Sequence, residues 1–147
     1  MSNEKTISTL NRLIETCRDG EQGFRTAAEG LKNPQTRSLF LEYSRQRAQM
    51  ARQLEDEVRR LGGSPEKAGS MSGSIHRGWM NIKSAITGKD DSAIIAEAER
   101  GEDVAKEMYE KAVVESLPPT TQALVQQQSA MVREAHDSVR ALEKAVP

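Results

Sequence analysis

Apolar residues recur every three to four positions along four long stretches of the chain, the period of an amphipathic helix. In the first, Ile7, Leu10, Leu13, Ile14, Cys17, Phe24, Ala28 and Leu31 predict a helix over about 5–31. In the second, Leu39, Tyr43, Met50, Leu54, Val58 and Leu61 predict one over about 34–61. Asn33 before Pro34 separates the two, because the residue ahead of a proline is pushed out of the helical region while proline suits a first helical position. The pair Gly62-Gly63 ends the second stretch. The third covers about 90–116, with Ile94, Ile95, Ala98, Ala105, Met108, Tyr109, Ala112 and Val113 on one arc. After "LPPTT" the fourth runs over about 120–146.

Residues 62–89 break the pattern. The segment opens on the Gly/Ser-rich "GGSPEKAGSMSGS" and passes into "SIHRGWMNIKSAITG", where Ile75, Trp79, Ile82 and Ile86 keep near-helical spacing. Short links make the first two helices, and the last two, antiparallel hairpins. A long connection lets the chain run back before the third helix begins. The expectation is an all-α single domain over 1–147, a four-helix bundle in up-down-down-up order. A short helix in the crossover would lie over it, held by Trp79.

Sliding the chain by 81 residues aligns its halves without gaps. Ile14/Ile95, Gly20/Gly101, Glu21/Glu102, Glu29/Glu110, Gln46/Gln127 and Met50/Met131 are identical. So are Arg52/Arg133, Asp56/Asp137, Val58/Val139, Arg59/Arg140 and Leu61/Leu142. Composition alone would give about three or four such matches by the logic of internal repeats. The reading is two helical hairpins related by duplication.

Composition narrows the function classes. Hydrophobic residues make up 36% and charged residues 29%, which suits narrow apolar stripes and wide solvated faces. A formal net charge of -1 supplies no field to recruit nucleic acid or an anionic membrane. No apolar run approaches the roughly 20 residues of a membrane span, and the charged N-terminal stretch has no secretory core. One cysteine, Cys17, excludes an intramolecular disulfide framework and a multi-cysteine zinc site. Cytoplasmic placement is expected. There is no nucleophile–base pair, phosphate loop or nucleic-acid motif, so an enzymatic role is not indicated.

On helical wheels each long helix turns one prominent polar residue inward: Glu21, Arg47, Glu102 and Gln128. Glu21 and Arg47 lie 26 residues apart, as do Glu102 and Gln128, which places all four at a similar height. Gly20 and Gly101 precede the two acids. Glycine costs a helix about 1 kcal/mol relative to alanine but admits a close neighbour.

The segments "LNRLIETCRDGEQGFRTAAE", "EVRRLGGSPEKAGSMSGSIHRGWMNIKSAITG" and "AERGEDVAKEMYEKA" cover most of the chain. They resemble a bacterial ferritin-like family of unassigned role, domain of unknown function 2383, within the ferritin and rubrerythrin-like superfamily. That resemblance implies the ferritin-like four-helix fold and brings no reaction with it. Ferritin-like di-iron proteins take a Glu from each of two helices and a Glu-x-x-His pair from each of the others. Glu21 and Glu102 match the lone acids. The pairs here read Arg47 with Met50 and Gln128 with Met131, so a guanidinium and an amide stand in place of carboxylates, and thioethers in place of imidazoles.

A degenerate di-metal site is therefore expected, replaced by a buried network of Glu21, Arg47, Glu102, Gln128 and Tyr109. No cofactor is expected. Iron or manganese on altered ligands, drawn from Glu21, Glu102 and His76, is the alternative, an oxidase or storage protein. His136 reads as a surface or boundary residue and Cys17 as a small core residue. The favoured role is a non-enzymatic bundle acting by association, with itself as a homo-oligomer or with a protein partner, or in stress physiology.

Overall fold

The computed structural model of the protein describes residues 3–65, 78–88 and 90–145. Among these residues five helices follow in order: α1 (Asn3–Gly30), α2 (Pro34–Arg60), α3 (Ile82–Thr87), α4 (Asp91–Val113) and α5 (Pro119–Ala145). No strand occurs among the described residues. The break between α1 and α2 forms as the Asn-Pro step requires. The Asn33 side chain caps α2, accepting from the backbone N–H of Gln35 at 2.9 Å and Thr36 at 3.1 Å, and Pro34 fills the first turn. Gly62 takes φ +90°, and the N–H groups of Gly62 and Gly63 close onto the carbonyls of Arg59 and Val58.

Contacts at the helix ends settle the topology. Thr9 near the start of α1 donates to Glu115 just past α4, while Asp91 at the start of α4 accepts from the N–H groups of Lys32 and Asn33 just past α1. These two helices are antiparallel. Thr121 at the start of α5 donates to Glu57 near the end of α2, so that pair is antiparallel too. With α1 against α2 and α4 against α5, the order is up-down-down-up, and α2 and α4 run parallel on the diagonal.

Two local expectations need correction. The helix expected over 90–116 stops at Val113, because Pro118 holds its predecessor extended and the chain must leave the helix earlier to turn. The Gln122 amide then donates to the orphan carbonyl of Val113 at 2.9 Å. Among the described residues of the crossover the helix is Ile82–Thr87, and Trp79, expected within it, sits in the turn before it. Ile75 lies outside the described residues.

The core falls into two apolar clusters along the bundle. One gathers Leu10, Leu13, Met50, Leu54, Val58, Val125 and Val132; the other gathers Phe24, Phe40, Trp79, Ile94, Ile95 and Val139. Each large side chain so buried contributes roughly 1.5–3 kcal/mol. Polar residues lie between them.

Candidate functional site

Where the two clusters meet, Arg47 reaches from α2 across the diagonal to Glu102 on α4. Its Nη1 donates to Glu102 Oε2 at 2.8 Å and its Nη2 to Oε1 at 2.5 Å. Arg47 is 2% exposed and Glu102 0%, so the pair is cut off from water. This fork-on-carboxylate geometry is the strongest that a guanidinium makes. Burial disfavours the Arg47 cation, yet the charge and hydrogen bonds of Glu102 outweigh that and hold its pKa above the ordinary guanidinium value.

Neighbouring elements are shaped to this pair. A Cβ on Gly20 would fall 2.8 Å from Arg47 Nη1 and 3.3 Å from its Cγ, so α1 presents bare backbone where the guanidinium passes. The Phe24 ring stands 5.5 Å from Arg47 Cζ, in cation–π range. Phe24 also stacks edge-on against Trp79, ring centroids 4.9 Å apart. Gly23 on α1 and Gly101 on α4 both face the Trp79 indole at distances that leave no room for a side chain.

Tyr109 and Gln128 form a second polar unit, about two turns along α4 from Glu102. The Tyr109 hydroxyl donates to Gln128 Oε1 at 2.6 Å, and Cys17 Sγ lies 3.2 Å from the same hydroxyl. The Gln128 amide donates to the carbonyl of Met50 at 3.2 Å and to Gln53 Oε1 at 2.9 Å. Burial pushes the Cys17 thiol up to about 11 and lifts the Tyr109 phenol well above its usual value. The four inward residues thus do not share one height. Gln128 bonds to residues three and six positions beyond Arg47 on α2 because antiparallel helices offset what equal spacing along the chain seemed to align.

Glu21 is the clearest departure from expectation. It is not on the axis: its side chain is 22% exposed and accepts from Arg18 Nη1 at 2.8 Å, while Arg18 also pairs with Glu55 at 3.2 Å. Arg18, one turn before Glu21 on the helix flank, draws the carboxylate outward, and only one acid is left to meet Arg47. Met50 is buried in the first apolar cluster and Met131 packs at its edge. His76 lies outside the described residues.

Glu97 and His136 are among the buried polar residues that the wheels did not place inside. Glu97 is 5% exposed and its Oε2 accepts from the backbone N–H of Asn81 at 2.8 Å, which pins the crossover to α4. His136 is 3% exposed, not a surface residue; its Nε2 lies 2.7 Å from Asp103 Oδ1 and its Nδ1 3.2 Å from Asp137 Oδ1. The wheel placed it at a stripe border, and the α4 flank covers that border.

No described helix is long and apolar enough to cross a membrane. A model of the family described as a domain of unknown function, DUF2383, matches residues 5–115. No curated protein matches the sequence. Among solved structures, a mutant of Mycobacterium smegmatis Dps1 is similar in fold, with a TM-score of 0.76 at 15% identity over 97% of this chain and 99% of that one.

Proposed function

Since the chain belongs to the DUF2383 family, whose fold is ferritin-like and whose role is unassigned, we propose that it is a non-enzymatic bundle that acts by association. In this reading a salt bridge occupies the place of a di-metal centre. The observation that carries it is the buried Arg47–Glu102 pair on the bundle axis. A guanidinium keeps its charge at any working pH, and both Glu102 oxygens already accept from it. Two further divalent cations at that level would meet a fixed positive charge, one carboxylate and two thioethers, a donor set poorly matched to iron or manganese. Met50 and Met131 extend the apolar cluster at the positions where imidazoles would be needed.

A buried pair of this kind fixes helix register more than it adds stability. It would thus hold four rods in one alignment and leave wide, mixed-charge outer faces for contact with further copies or with another protein, in the cytoplasm or another reducing compartment. Matching halves around the axis fit a duplicated hairpin that kept its fold and lost its ligands.

The test is elemental analysis of protein purified from cells grown with added iron or manganese, paired with sedimentation equilibrium. The expected result is no iron or manganese that depends on Glu102, together with concentration-dependent assembly or stable capture of one partner. Stoichiometric iron or manganese that disappears in Glu102→Gln would overturn this reading in favour of an oxidase or storage protein.

A further inference from the structure

The outer groove between α4 and α5 holds one imidazole and two carboxylates on facing helices. Glu99 and Asp103 are one turn apart on α4, and His136 faces them from α5. One ligand atom from each lies within 4.8 Å of the others. An ion about 2.1 Å from every donor needs pairs no farther apart than about 4.2 Å. His136 Nε2 already stands 2.7 Å from Asp103 Oδ1, and the Asp103 side chain, 61% exposed, is free to swing aside and admit an ion between them.

Three features distinguish this groove from an ordinary acidic surface. The imidazole is buried and pre-oriented: Asp137 holds Nδ1, which leaves Nε2 aimed at the carboxylates, the arrangement that commonly supports a metal-bound histidine. Negative charge converges there: the Glu99 and Asp103 carboxylates face the imidazole together, and Arg140, 3.9 Å from Glu99, is itself 56% exposed. Lastly, the first hairpin fills the corresponding place with a cation. Arg18 and Glu55 face each other across α1 and α2, and 81 residues on those positions are Glu99 and His136. The guanidinium that joins Glu21 and Glu55 in one hairpin has a carboxylate as its counterpart in the other.

We propose that Glu99, Asp103 and His136 form a binding site for a divalent first-row transition ion of the zinc class in the α4–α5 groove. One nitrogen and two hard oxygens suit zinc and its neighbours over calcium or magnesium, which favour all-oxygen sets. The ion takes the role across the second hairpin that Arg18 takes across the first. Bound ion clips α4 to α5 through Glu99 and Asp103, which flank Glu102 in sequence, so it also steadies the helix that carries the axial carboxylate. This site stands independently of the proposed role: zinc lost on Asp103→Asn and iron lost on Glu102→Gln are separate outcomes.

Chelator-stripped, full-length protein titrated with zinc chloride by calorimetry is the test. One zinc per chain is expected, with affinity at least tenfold weaker in Asp103→Asn and in Glu99→Gln and unchanged in Asp56→Asn on α2. Both groove variants alter partly or largely exposed side chains, so they keep the fold. On zinc addition the His136 Nε2 resonance should shift as for coordinated imidazole. Absence of saturable zinc binding would overturn the proposal. So would full-strength binding in both groove variants, or magnesium and calcium binding as tightly as zinc.

Discussion

At the scale of single residues, the molecule turns on which acid meets Arg47. Wheels cannot separate Glu21 from Glu102, since both follow a glycine and both project inward. Their flanks separate them, because Arg18 lies one turn before Glu21 whereas Glu99 lies one turn before Glu102. A cation next to an acid pulls it to the surface, and an acid next to an acid leaves the inner one to find a partner across the core. Arg47→Met should therefore destabilise the fold by about 3–5 kcal/mol, since it strands Glu102 without a partner. The double variant Arg47→Met with Glu102→Leu should cost less than either single change. Urea unfolding of the four proteins in that cycle checks it, and additive losses would show the pair to be uncoupled. Cys17 gives a second residue-scale expectation. Its thiol is raised from 9.0 to about 11 by burial, so the fold favours the neutral form. That contribution is intact below pH 9 and is lost as pH rises through about 11, an amount of roughly 3 kcal/mol. Wild-type stability should fall across this window more steeply than that of Cys17→Ala, and the thiol should react with a disulfide reagent at pH 8 only as fast as the protein unfolds.

At the scale of elements, the four long helices were legible because each buries one stripe, and a stripe leaves its period in the sequence. The crossover was legible at Trp79 and in the spacing of Ile82 and Ile86, which α3 keeps. Its Gly/Ser-rich start has no period to read, and what docks its end is supplied by other helices: the bare backbones at Gly23 and Gly101, and the Glu97 carboxylate beneath Asn81. Gly101 looked like a companion to the buried acid, yet the close neighbour it admits is the indole. Gly78 adds a constraint, as it takes φ +77° with its Cβ direction 2.8 Å from the Gly101 backbone. Gly101→Ala should hence expel Trp79 from its slot while the long helices persist. Its fluorescence should move to longer wavelength and become open to iodide, with helical circular dichroism nearly unchanged. An emission spectrum like wild type would mean that the indole does not rely on that glycine.

At the scale of the whole molecule, the two hairpins are joined by more than apolar burial. Asp91 ties the α1–α2 turn to the start of α4 at one end of the bundle; Thr9 with Glu115, and Thr121 with Glu57, tie the other. Arg47 and Glu102 join the hairpins in the middle. Such links reach between segments far apart in sequence, which is why wheels missed them: a wheel reports the direction of a side chain and nothing of the offset between two rods. The same blindness hid His136 opposite Asp103. Because the ties sit at both ends and at the centre, neither hairpin can open without breaking several, and unfolding should be one cooperative transition for the hairpin bundle. Its acid limb has an identifiable contributor. Arg60, then Thr121, hold Glu57 below its usual carboxylate value against the opposing effect of burial. A depressed acid stabilises the fold above its unfolded pKa of about 4.5 and loses that contribution as pH falls through its folded value. Wild type should therefore lose stability on acidification below pH 5 more steeply than Glu57→Gln, which starts lower and declines less. If the two curves run parallel, neither Arg60 nor Thr121 gives Glu57 any charge-dependent stability, and the α2–α5 end contact acts through its neutral hydrogen bond alone.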